Sequence, residues 1–167
     1  MELPQNRLIR YLDDARAAEE GIAEVLENYA KEVRNDVARA AFEEHLISTK
    51  AHALRLEKRL RELGGMPTAS KAYFTKIMGM LGETIHSSSD EHDKATQDVV
   101  KAYATEHLEI GIYAALATYA EAHGDLETAQ IAEEILIEEQ RAADKFRHLI
   151  PECAAETYRA AASQAAA

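Results

Sequence analysis

Residues 19–53 read EEGIAEVLENYAKEVRNDVARAAFEEHLISTKAHA, and residues 109–143 read EIGIYAALATYAEAHGDLETAQIAEEILIEEQRAA. Laid over one another at an offset of 90 residues, without a gap, they are identical at eleven positions. These are Glu19/Glu109, Gly21/Gly111, Ile22/Ile112, Leu26/Leu116, Tyr29/Tyr119, Ala30/Ala120, Glu43/Glu133, Glu44/Glu134, Leu46/Leu136, Ile47/Ile137 and Ala53/Ala143. We read this as an internal duplication of a helix pair. A helix pair folded against its own copy makes a four-helix bundle with a pseudo-twofold axis. Glu19 and Glu109 would then point at one spot from opposite sides.

Working outward from the repeat, each arm carries helical periodicity. Over residues 5–33, Leu8, Leu12, Ala15, Glu19, Ile22, Leu26, Tyr29 and Val33 recur at three- and four-residue steps, the spacing of one helical face. Arg34-Asn35-Asp36 supplies a turn and an N-cap. A second helix runs to about Leu63 on Phe42, Leu46, Thr49, Ala53, Leu56 and Leu60, and Gly64-Gly65-Met66-Pro67 ends it. The third helix spans 92–122, with Val99, Tyr103, Glu106, Glu109, Ile112 or Tyr113, Leu116 and Tyr119 on one face. After the turn His123-Gly124-Asp125, a fourth helix carries Ala129, Ala132, Leu136, Glu139, Ala143 and Phe146 and is expected to stop at Pro151. Residues 152–167 read as a separate, fraying, alanine-rich short helix.

Two tight turns imply two antiparallel pairs. The segment 64–92 between them is long enough to travel the length of the bundle, and Tyr73, Phe74, Ile77, Met78 and Leu81 suggest a short helix within it, capped by Ser70. The fold class is therefore all-α: one domain over 1–167, a four-helix bundle with the single long crossover of ferritin-like folds, plus a short C-terminal helix.

Composition agrees. Of 167 residues, 47% are hydrophobic and 29% charged, with only three prolines and seven glycines, as expected of a globular helical chain. The net charge of −11 argues against nucleic acid or an anionic membrane surface as partner. No stretch reaches the roughly 18 apolar residues of a membrane span, and the N-terminus has no signal-peptide core. Cys153 is the sole cysteine, so no intramolecular disulfide or thiolate metal cage is available. The expected location is the cytoplasm.

Glu19 and Glu109 lie on apolar stripes, where an unpaired ionised carboxylate is heavily penalised. A cation, an arginine or exposure must compensate. Divalent iron or manganese in such bundles is held by one Glu from each of two helices and a Glu-x-x-His from each of the others. Here the motif is divided. The first repeat has Thr49-x-x-His52 and the second has Glu139-x-x-Ala142. Glu106, one turn before Glu109, and His45, one turn before Thr49, are further donors. The candidate ligands are Glu19, His52, Glu106, Glu109 and Glu139, with His45 as a sixth. An oxygen-rich set with one or two imidazoles suits iron or manganese better than structural zinc.

The bland reading keeps Glu106 and Glu139 in solvent or paired with Arg16 or Arg55, and makes the histidine a hydrogen-bonded core residue. His86, His92, His107, His123 and His148 fall in loops or off the stripe and read as surface. Tyr113 reads as core packing, with a place facing the metal as the alternative. Glu138 is expected to point elsewhere, into solvent.

At these residues the sequence resembles the YciE/YciF ferroxidase-like family of bacterial ferritin-like proteins. The stretches are Ala17-Ala18-Glu19, Ala41-Phe42-Glu43-Glu44-His45-Leu46 with Thr49 and Arg55-Leu56-Glu57, Glu106-His107-Leu108-Glu109-Ile110-Gly111-Ile112-Tyr113, and Glu138-Glu139. The resemblance covers roughly residues 5–150. It implies a two-metal centre, assigned to iron, in proteins of bacterial stress responses. Carried over by position, Glu19, Glu106, Glu109 and Glu139 would be ligands, completed by His52 or His45. The departures at Thr49 and Ala142 argue against a fully symmetric centre.

Three functions follow as expectations: a homodimeric ferroxidase with two irons per chain that uses O2 or peroxide; a non-enzymatic stress or scaffold bundle; and an oxygenase or peroxidase on the same scaffold.

Overall fold

The first helix begins at a proline, whose missing N–H is no loss in the first turn, where helical donors have no partner anyway. In the computed structural model, which describes residues 2–68, 75, 79 and 90–166, this helix is α1 (Pro4–Glu32). The turn through Asn35 caps α2 (Asp36–Glu62), the Asn35 side chain accepting from the Ala38 amide at 2.8 Å. Gly64, at φ 80°, takes the left-handed conformation after α2 that a side chain disfavours. Gly65 is needed for space: a Cβ there would lie 2.4 Å from Leu60 Cδ1 and 2.9 Å from Ile9 Cγ2. Asp90 caps α3 (Glu91–His123), and Gly124 at φ 85° ends it. Asp125 then caps α4 (Leu126–Ala165) through the Thr128 amide.

Neighbouring ends fix the directions. The Tyr119 hydroxyl donates to the Pro4 carbonyl at 3.2 Å, and Lys94 pairs with Glu32, so α1 and α3 are antiparallel. Arg59 reaches Thr128 at 2.9 Å and Asn35 reaches Glu156 at 2.6 Å, so α2 and α4 are antiparallel. With α1/α2 and α3/α4 each joined by a tight turn, α2 and α3 run the same way. The connection between them must therefore retrace a helix of 27 residues, about 40 Å. This is the ferritin-like arrangement. The short crossover helix expected from Tyr73 to Leu81 lies outside the described residues, as does His86.

One expectation is corrected. The fourth helix does not stop at Pro151, and no separate C-terminal helix follows; α4 continues through Pro151 to Ala165. Proline removes one backbone donor, but Pro151 is exposed while Cys153 beyond it is buried in the core. Packing and side-chain bonds past the proline hold the helix. Thr157 donates to the His92 carbonyl at 2.9 Å, and Glu156 accepts from Asn35.

The apolar core is divided. One cluster holds Ile22, Leu26, Tyr29, Phe42, Val99 and Phe146. Its aromatic rings sit 5.4 Å (Tyr29–Phe42) and 5.6 Å (Phe42–Phe146) apart. The other holds Leu8, Leu12, Leu56, Leu60, Tyr113, Leu116 and Ile135. Between them the stripe of every helix switches to polar side chains: Glu19 in α1, His45, Thr49 and His52 in α2, Glu106 and Glu109 in α3, and Glu139 in α4, all buried. Tyr113 rather than Ile112, and Ile135 rather than Leu136, face the interior.

Candidate metal centre

Helical spacing delivers these polar side chains to one layer. Two steps of three or four residues along α2 bring His45 and His52 to the same face, and one step along α3 brings Glu106 and Glu109. The six sequence-predicted residues come together in two groups whose donor atoms lie within 4.8 Å of one another. The first is His45, Glu106, Glu109 and Glu139; the second is Glu19, His52 and Glu139. Glu139 belongs to both. Its Oε1 lies 2.8 Å from His52 Nδ1 and its Oε2 lies 3.5 Å from His45 Nε2. One of the two histidines stands in each group. His45 Nε2 is 2.9 Å from Glu106 Oε2, and His52 Nδ1 is 3.3 Å from Glu19 Oε1.

Both oxygens of Glu109, Oε1 of Glu106 and Oε2 of Glu19 are buried with no partner, while the Glu139 oxygens, Glu106 Oε2, His45 Nε2 and His52 Nδ1 are matched only with one another inside the layer. Buried polar atoms are nearly always partnered. So many orphans converging on two points is the pattern of a cation site, and four carboxylates with two imidazoles are a donor set for iron or manganese.

Without a cation the layer is electrostatically strained. Burial raises the Glu19 carboxyl to about 7, with the charge of Glu139 adding to the effect and His52 opposing it. Glu106 and Glu109 are pushed well above the ordinary carboxylate value, first by burial and then by neighbouring carboxylates. His52 is held up at about 10: burial opposes its charge, but Glu139 and Glu19 outweigh burial. Glu139 goes down, because His52, Glu106 and His45 outweigh its burial. Burial lowers His45.

A pH dependence follows. Glu19, Glu106 and Glu109 keep protons in the folded state that the unfolded chain releases near 4.5. Their contribution to stability is complete below 4.5 and is lost as pH rises, for Glu19 through about 7. His52 acts in the same sense, complete below 6.5 and lost toward about 10. Glu139 opposes them on acidification below 4.5, and His45, lowered by burial, opposes them below 6.5, one imidazole against three carboxyls and His52 between pH 5 and 8. The metal-free protein is therefore expected to melt at lower temperature at pH 8 than at pH 5. A divalent metal should reverse that order, because it needs these groups deprotonated. Calorimetry at the two pH values checks this, and a metal-free melting temperature that rises between them would contradict it.

The other sequence readings divide. Arg16 and Arg55 do not neutralise the carboxylates. Arg16 is buried against Asp13 (2.8 Å), Glu20 (2.6 Å) and the Thr68 carbonyl (2.6 Å). Arg55 pairs with Glu134 and lies 3.6 Å from Glu138. Thr49 joins neither group; its hydroxyl donates to the His45 carbonyl at 3.0 Å. His107, His123 and His148 are exposed and His92 is half-buried. Tyr113 packs in the core, as the first of its readings has it, and its hydroxyl donates to Glu19. Glu138 is not free in solvent: it is half-exposed and accepts from His52 Nε2 at 2.8 Å. The missed signal was chemical. A histidine that gives one ring nitrogen to a metal needs an acceptor for the other, and Glu138 was an acidic candidate on the facing helix.

Comparison with known proteins agrees with this fold. The family described as "Domain of unknown function (DUF892)" matches residues 4–159. Protein YciF of Escherichia coli (strain K12) is 27% identical over 150 residues, covering 86% of this chain and 87% of YciF. The crystal structure of the E. coli stress protein YciF superposes with a TM-score of 0.80 at 25% identity, covering 92% of this chain and 98% of that one. A Xanthomonas campestris protein gives a TM-score of 0.78 at 25% identity, over 94% and 97% of the two chains. A Bacillus anthracis structure described as ferritin like, diiron-carboxylate proteins gives 0.72 at 20% identity, over 90% and 99%, and supports the fold alone. The chain belongs to the DUF892 family, and its fold is a ferritin-like four-helix bundle akin to YciF.

Proposed function

We propose that this chain is a cytoplasmic stress protein that holds two iron ions between its four helices and acts as a ferroxidase toward O2 or peroxide. The observation that carries the reading is the pair of donor groups sharing Glu139, with so many buried oxygens left without hydrogen bonds. The description of YciF as a stress protein supports the physiological part.

The residues divide the work. Glu139 turns one oxygen to each group and is placed to bridge. Glu138 holds the outer nitrogen of His52, which fixes the ring with Nδ1 directed inward. Tyr113 occupies one oxygen of Glu19 and leaves the other for a cation. The two apolar clusters wall the layer at both ends. Bound iron would supply one-electron chemistry toward an oxygen species, and manganese would fit the same donors. The exposed Ile47 and Leu54 on α2 motivate a further proposal, that the chain pairs as a homodimer.

The test is elemental analysis of protein purified without chelator, followed by Fe(II) oxidation. About two irons per chain are expected, with oxidation abolished in Glu109→Ala. Absence of bound metal together with a melting temperature indifferent to chelator would instead leave a non-enzymatic bundle. Sedimentation of the same preparation at the monomer mass would exclude the dimer.

A further inference from the structure

Five of the six residues of the centre are at most 1% exposed; His45 retains 7%. That exposure lies at a cleft of about 250 Å³ between α2 and α4, which both His45 and His52 line. At roughly 30 Å³ per liquid water, the cleft has room for about eight waters, enough for a small ligand and not for a large substrate.

What opens it is visible in the repeat. The 90-residue offset sets Ala142 against His52 and Glu138 against Ser48. Ala142 and Ser48, both short, line the cleft from α4 and α2. A histidine at 142, as the symmetric pattern would have it, would project imidazole where Ala142 leaves a methyl group. The lost ligand therefore coincides with a gap above the remaining histidines.

The mouth is not acidic, although the chain carries −11. Glu44 is paired with Lys145 at 2.5 Å across the rim. Glu138 accepts from His52 and lies beside Arg55. Arg141 lines the cleft, and no described residue makes an ion pair with it. Besides the two histidines, four charged side chains line the cleft, Glu44, Glu138, Arg141 and Lys145. Two are negative and two positive, so the lining offers no net attraction to a cation, and the one charge that no described residue pairs is positive.

We propose that the α2/α4 cleft is the port through which a small neutral or singly charged anionic ligand reaches the centre, and that Ala142 sets its aperture. This rests on the metal-centre reading. The test uses Ala142→Cys, a small change; Cys153, 2% exposed, gives little competing thiol reaction. The variant is loaded with Co(II), and the rate at which azide changes the cobalt absorption is followed by stopped flow before and after alkylation with a bulky maleimide. Alkylation is expected to slow azide entry at least about tenfold while the Co(II) spectrum persists. The same label on Ser163→Cys, at the far end of α4, should change nothing. An unaltered rate of azide entry after alkylation at 142 would overturn the port.

Failure of Co(II) to bind at all would refute the metal reading instead. The port is then read in the metal-free protein by diethyl pyrocarbonate, with His45 modification followed by mass spectrometry and the exposed His107 and His148 as references. The label at 142 is expected to suppress modification of His45 at least about tenfold and of neither reference; equal modification of His45 would overturn the port on this arm as well.

Discussion

Replacing Glu139 by alanine is expected to abolish binding at both metal positions and also to destabilise the metal-free protein. Glu139 is the one residue common to the two donor groups, with an oxygen near each histidine. Altering a residue that merely orients a ligand costs about 10–100-fold in affinity, and loss of a direct shared ligand should cost at least about 100-fold at each position. Stability falls for a separate reason. Glu139 is the chief partner of a charged, buried His52. Removing one side of a buried pair typically costs about 3–5 kcal/mol. Glu19 and Glu138 remain beside His52, which places the expected loss at about 3 kcal/mol. At about 2–4 °C per kcal/mol for a chain of this size, that is a drop of roughly 6–12 °C. Glu138→Ala should weaken metal binding less, and chiefly at the His52 position. Equal metal affinities for the two variants by calorimetric titration would contradict these assignments.

Replacing Glu109 by leucine should have the opposite effect on the metal-free protein. Neither carboxylate oxygen of Glu109 has a partner, and Glu19, Glu139 and Glu106 all disfavour its charge. Removing a buried polar group that has no hydrogen-bond partner relieves a cost of about 1–3 kcal/mol. The variant should therefore melt roughly 2–12 °C higher without metal. It should also bind metal weakly, because one of the three carboxylates of the His45 group is gone. A residue kept at a cost to stability is one retained for its chemistry. A metal-free Glu109→Leu protein that melts at or below the wild-type temperature would show that the carboxyl has a structural role.

These opposite signs could not be read from spacing. In the sequence Glu109 and Glu139 are equivalent: acidic residues on apolar stripes, at the expected places in their repeats. Which of them stands beside an imidazole depends on how α2 packs against α3 and α4. The same holds for Glu138, one residue from a ligand yet turned to the outer nitrogen of His52, and for Tyr113, whose hydroxyl finds Glu19 across the bundle. The end of α4 was misjudged for a related reason. Local propensity stops a helix at Pro151, whereas the contacts of Cys153, Glu156 and Thr157 on other elements carry it onward.

Periodicity and turn chemistry are local, and so the sequence by itself determined the four helices, a cap within Arg34-Asn35-Asp36 and another at Asp125, the long connection between the second and third helices, and the six candidate ligands. The repeat also showed where its halves differ, at Thr49 against Glu139 and at His52 against Ala142. Only tertiary structure decided that these six residues form two groups joined through Glu139, with His45 in one and His52 in the other. Only packing revealed that Ala142 opens a cleft above them. Both depend on distances between helices far apart in the chain, which no spacing along a single helix encodes.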